Sequence, residues 1–111
     1  MEKYFVYFGT EENAYEVEKS NAFKSIEKAV EDVKEYITIE CNPFNSEKVN
    51  EELKPSINTI VEEVNKNGYG YEYLENIHGY TIILGIAKNG YCKNLRKVFT
   101  ENRQEIVKLF A

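Results

Sequence analysis

Residues 80–90 read Tyr80-Thr81-Ile82-Ile83-Leu84-Gly85-Ile86-Ala87-Lys88-Asn89-Gly90, the most apolar segment of the chain. A run of β-branched and aliphatic residues without polar alternation, ended by Lys-Asn-Gly, is a strand that lies centrally in a sheet. Just upstream, Tyr69-Gly70-Tyr71-Glu72-Tyr73-Leu74-Glu75 is a second strand signal, separated from the first by a turn around Asn76 to Gly79. Rich in tyrosine and polar on its other face, it belongs nearer an edge. At the start of the chain, Lys3 to Gly9 (Lys-Tyr-Phe-Val-Tyr-Phe-Gly) is apolar on both faces and reads as another central strand. Turn residues follow from Gly9 to Asn13, and Tyr15 to Lys19 alternates apolar with charged, as a half-exposed hairpin partner does.

Between these strand pairs the period changes from two to three and four. Phe23, Ile26, Val30, Val33 and Ile37 form one apolar helical stripe, with Ser25 or Ser20 as N-cap. Asn42 to Ser46 is a loop by composition, after which Val49, Leu53, Ile57, Ile60, Val61 and Val64 make a second stripe that stops at Asn67-Gly68. Pro55 falls inside it, which predicts a kinked helix or two helices. Beyond Tyr91, Leu95, Val98, Phe99, Ile106, Leu109 and Phe110 fit helical steps, and Asn102 with Glu105 is spaced as a capping box. Residues 93–100 read equally as part of that helix or as a strand. The order ββααββα predicts one α+β domain over 1–111, a mostly antiparallel four- or five-stranded sheet with helices packed on it.

The 111 residues are 42% hydrophobic and 30% charged, which excludes intrinsic disorder and a membrane-embedded chain. Met1 to Tyr4 lacks the basic and apolar regions of a secretory signal, so a cytoplasmic protein is expected, with Cys41 and Cys92 free, reduced and buried. Neither a metal site nor a cofactor is expected: Cys41, His78 and Cys92 are 37 and 14 residues apart, far from zinc-ligand spacing.

The catalytic inventory is thin. His78 falls in a hairpin turn, and Ser20, Ser25, Ser46 and Ser56 fall at helix starts or in loops with no GxSxG context. A Cys92 nucleophile with a His78 base would require the sheet to join them. Gly68-Tyr69-Gly70 precedes a strand, the reverse of a phosphate cradle, and reads as a helix C-cap followed by a strand entry. The chain is therefore read as a non-enzyme.

Charge is more informative. Nineteen Asp and Glu oppose fourteen Lys and Arg, for a net charge of −5, and the imbalance is segregated: residues 1–75 carry −9 and residues 76–111 carry +4. Glu27, Glu31 and Glu35 are four apart and stack on one helix face at about 6 Å intervals. With Glu51, Glu52, Glu62 and Glu63 on the second helix they form an acidic row able to mimic spaced phosphates, although Lys24, Lys28 and Lys34 interleave as they would on an ordinary solvated face. Direct nucleic-acid binding is opposed by the net charge, and only the basic tail with Lys88, Lys93, Arg96, Lys97, Arg103 and Lys108 favours it. Nine tyrosines without tryptophan are the other unusual feature. Tyr69, Tyr71 and Tyr73 project from one strand face, either as open contact surface or beneath a covering helix.

Residue usage rich in Asn, Ile, Lys, Glu and Tyr suits an AT-rich bacterial, phage or plasmid genome. A short, acidic, motif-free α+β domain resembles, in type only, the stoichiometric inhibitors. The expected function is a non-enzymatic inhibitor that blocks a basic, nucleic-acid-binding type of site on a partner protein, of the phage anti-defence class (anti-CRISPR or anti-restriction). The alternatives are a toxin immunity protein, a small-ligand-binding domain with a Tyr69–Tyr73 pocket, and a small enzyme built on Cys92 or His78.

Overall fold

The computed structural model describes residues 2–11, 17–41 and 46–109. In chain order they form β1 (Tyr4–Thr10), β2 (Glu18–Lys19), α1 (Ile26–Cys41), α2 (Ser46–Asn67), β3 (Tyr69–Glu75), β4 (Thr81–Lys88) and α3 (Cys92–Leu109). All strand pairs are antiparallel and the spatial order is β2-β1-β4-β3, so the two most apolar strands are the central pair. The fold is α+β, with a four-stranded sheet.

Because β-strand side chains alternate, each central strand feeds two cores. Tyr4 and Val6 of β1 and Ile82, Leu84 and Ile86 of β4 meet Ala29, Val33 and Ile37 of α1 and Ile57, Ile60 and Val64 of α2. From the other face Tyr7, Ile83 and Ala87 meet Leu95 and Phe99 of α3, with the Tyr7 and Phe99 rings 6.2 Å apart. Two helices thus cover one face and a single helix covers the other. Gly85 allows that single helix to come close: a Cβ there would lie 2.4 Å from the Gly70 carbonyl oxygen and 3.1 Å from Leu95 Cδ1.

Several extents differ from the sequence expectation. Helix α2 is continuous through Pro55, without a division into two helices. Pro55 and Glu51 are both exposed, so the proline ring and the carbonyl that loses its N–H donor belong to the solvated side of the helix and not to its core. The hairpin partner is only Glu18–Lys19, and Tyr15 lies outside the described residues, as does the loop at 42–45. Helix α3 begins at Cys92, which settles residues 93–100 as helix and leaves Asn102 in its interior instead of at a cap. Ser25 caps α1 by accepting from the Lys28 N–H at 3.3 Å, whereas the Ser20 hydroxyl accepts from the Val6 N–H at 2.8 Å and ties β2 to β1. Gly68, at φ 89°, closes α2 with its N–H on the Val64 carbonyl.

Candidate functional site

On α1 the core positions Ala29, Val33 and Ile37 point at the sheet, and a helical step of about 100° turns Glu27, Glu31 and Glu35 to the opposite side. All three are exposed, and so are Lys24, Lys28 and Lys34. Glu51, Glu52 and Glu62 of α2 are exposed as well. Between the two helices runs a groove of about 340 Å³ with Val30, Ile57 and Val61 in its lining and Lys34, Glu51, Lys54 and Asn58 around them. Glu51 therefore stands beside two lysines.

The seven predicted glutamates do not form one surface. Glu51 and Glu62 are eleven residues apart, about three helical turns, and share the outward side; Glu52 and Glu63 share the next flank by the same count. Glu63 is half-buried over β3, where a Cβ on Gly70 would fall 2.7 Å from the Glu63 Cβ. Its neighbour is Glu72, whose carboxyl is pushed above the usual carboxylate range by burial and then by the Glu63 charge, against a hydrogen bond from the Tyr73 N–H. Glu63 is therefore corrected from the outer acidic row to the β3 flank. Half-buried Asp32, its carboxyl pushed up by burial and then by Glu35, is a further acid of α1.

Tyr69, Tyr71 and Tyr73 all project onto the α3 side of the sheet. Tyr69 and Tyr71 pack half-buried at the margin of the α3 core, while Tyr73 is 47% exposed and meets the Tyr71 ring edge-on at 5.9 Å. One helix is too narrow to cover four strands, so the tyrosine face is covered at its start and open at its end.

At the opposite margin of α3 two adjoining recesses, of about 100 and 370 Å³, share Lys19, Cys92 and Lys93. Arg96 and buried Tyr7 line the first, Phe5 and Asn89 the second. Lys19 stands 4.2 Å above the Phe5 ring. Burial, and then a hydrogen bond with Cys92, push the Tyr7 hydroxyl above the usual phenol range. Two residues of the basic tail thus meet a lysine from the acidic half of the chain, a convergence invisible in linear order. Lys88 instead pairs with Glu2 at 2.6 Å.

The remaining chemistry does not assemble. His78 sits in the turn before β4 and Cys92 beyond its other end, with a strand about 25 Å long between them. Cys41 and Cys92 are free and half-buried, less buried than composition implies; the Cys41 thiol donates to the Glu75 carbonyl at 3.4 Å. The turn is organised by Asn76, only 5% exposed, whose Oδ1 accepts from the His78 and Tyr80 N–H groups at 3.0 Å each. Its Nδ2 reaches Glu40 Oε2 at 3.4 Å, and the Ile77 N–H donates to the Glu40 carbonyl at 2.8 Å, pinning the hairpin to the end of α1. Among the described residues no three His, Cys, Asp or Glu side chains are grouped to hold a metal ion, and no helix is long and apolar enough to cross a membrane. No protein-family model, curated protein or solved structure matches this chain.

Proposed function

We propose that this chain is a non-enzymatic inhibitor that covers a basic site on a partner protein with the outer face of α1 and α2. The observation that carries the reading is the exposure of Glu27, Glu31 and Glu35 in one row on the side of α1 away from its core, with Glu51 and Glu62 exposed on the adjoining helix. A net charge of −5 adds long-range attraction toward a basic surface. The phage anti-defence class fits this mode of action, and a toxin immunity protein would use the same chemistry. The small-ligand reading has less support, because Tyr69, Tyr71 and Tyr73 line neither the α1–α2 groove nor the recesses beside Lys19.

The test is the association rate with a partner isolated by affinity capture, measured against salt for the parent and for Glu27→Lys/Glu31→Lys/Glu35→Lys. Reversal moves the net charge by +6 from −5. It should slow association strongly at low salt, and the parent's rate should fall as the screening length shortens to about 8 Å near physiological ionic strength. Equal rates and equal salt slopes would remove α1 from the interface.

A further inference from the structure

We propose that the outer edge of β3, which no other strand pairs among the described residues, is a strand-pairing site for an extended, basic segment of a partner protein, which joins the sheet as a fifth strand. The inference rests on the reading that the partner is a basic protein, and it assigns the contact to a different surface from α1.

The two edges of the sheet are unequal. β2 is two residues long, whereas β3 pairs with β4 over seven consecutive residues, Tyr69 opposite Ala87 through Glu75 opposite Thr81, without a bulge. Native sheets blunt such edges with proline, lysine, bulges or short strands, and residues 69–75 contain no proline, lysine or arginine. The hydrogen-bond parity follows from the Lys88 N–H on the Gly68 carbonyl at 2.8 Å. Alternation then directs the main-chain groups of Gly70, Glu72 and Leu74 toward β4 and those of Tyr69, Tyr71, Tyr73 and Glu75 outward. The Tyr73 N–H already meets the Glu72 carboxylate and the Glu75 carbonyl already accepts from the Cys41 thiol, so the incoming strand pairs at Tyr71 and at the Glu75 N–H and competes with side chains at Tyr73 and at the Glu75 carbonyl.

Side chains on the two flanks of this edge specify the occupant. On the α2 flank, Glu72 and Glu63 crowd each other, and a lysine or arginine opposite Glu72 lies within reach of both, at the roughly 5 Å Cβ spacing of cross-strand pairs. Neutralising that crowding also releases Glu72 from the Tyr73 N–H. On the α3 flank the neighbours of that basic residue meet Tyr71 and the exposed Tyr73, which suit apolar side chains. A second copy of this chain fits less well. Antiparallel pairing of β3 with itself about Glu72 sets Glu72 against Glu72, and like charges directly opposite destabilise a pair. Strand addition of this kind draws affinity from main-chain bonds and specificity from alternate side chains.

The probe is a capped ten-residue peptide of alternating lysine and valine, tested with the full chain. Binding is read by fluorescence anisotropy and its site by amide hydrogen exchange. Exchange at the Tyr71 and Glu75 amides should slow by about tenfold or more. The same peptide methylated on alternate backbone nitrogens keeps its charge but loses its ladder donors, and should bind at least about tenfold more weakly. Glu63→Gln/Glu72→Gln should weaken the lysine peptide and leave a glutamine–valine peptide unaffected. Equal affinity of the methylated peptide, or protection on α1 instead of β3, would overturn the proposal. So would self-association by sedimentation that protects the same amides without peptide, since a second copy would then occupy the edge. Reversing Glu27, Glu31 and Glu35 should not change the ladder signature, so failure at β3 and failure at α1 are read separately.

Discussion

Replacing Gly85 by alanine places one methyl group against β3 and Leu95 of α3. The added Cβ would lie 2.4 Å from the Gly70 carbonyl oxygen, 3.0 Å from Tyr71 Cβ and 3.1 Å from Leu95 Cδ1. Leu95 can rotate away, but the Gly70 oxygen cannot, because it belongs to the β3–β4 ladder. Overpacking a core costs about 1–3 kcal/mol, and a main-chain obstacle puts this case at the upper end, about 3 kcal/mol. For a domain whose whole stability is of order 5–15 kcal/mol, that lowers the midpoint of thermal unfolding by roughly 12–24 °C. The assay is thermal and urea unfolding followed by far-UV circular dichroism, with Gly90→Ala as the reference. Gly90 has φ 101° and nothing within 4 Å of its would-be Cβ, so alanine there meets backbone strain alone, about 1–2 kcal/mol. If Gly85→Ala destabilises no more than Gly90→Ala, the tight packing of β3 against Gly85 is refuted.

Asn76→Ala removes the acceptor shared by the His78 and Tyr80 N–H groups and the contact to Glu40. It should cost about 1–2 kcal/mol and speed hydrogen exchange at those two amides, and unchanged exchange would contradict the role given to the side chain. Glu72→Gln tests the crowding at the β3 flank through its pH dependence. Burial and Glu63 hold the Glu72 proton more tightly in the folded chain than in the unfolded one, so this group's contribution to stability declines as pH rises from its ordinary 4.5 toward the raised folded value. The glutamine variant should therefore have a higher urea midpoint than the parent at neutral pH and an equal one below the ordinary carboxylate range. An equal offset at both pH values would show that the carboxyl is not perturbed.

Much of this molecule was legible in residue order. The unbroken apolar run at 82–87 identifies a central strand, because only a strand shielded on both faces tolerates it. The three-and-four spacing of Phe23, Ile26, Val30, Val33 and Ile37 turns Glu27, Glu31 and Glu35 outward, since a helix of fixed pitch relates every face to its own core stripe. Periodicity, however, orients a side chain about its own axis and says nothing of what lies beside it. That Glu63 meets Glu72 depends on α2 lying over β3, and that Lys19 meets Lys93 and Arg96 depends on α3 returning across β1. The continuity of α2 through Pro55 goes with the exposure of Pro55 and Glu51, since a lost backbone donor costs least on the solvated side of a helix. The order β2-β1-β4-β3, which puts β3 at one end of the sheet among the described residues, arises from pairing residues 4–10 with residues 82–88. Local propensity determines the faces of each element, but contacts between segments some eighty residues apart form only when the whole core closes, and those contacts decide which surfaces are free.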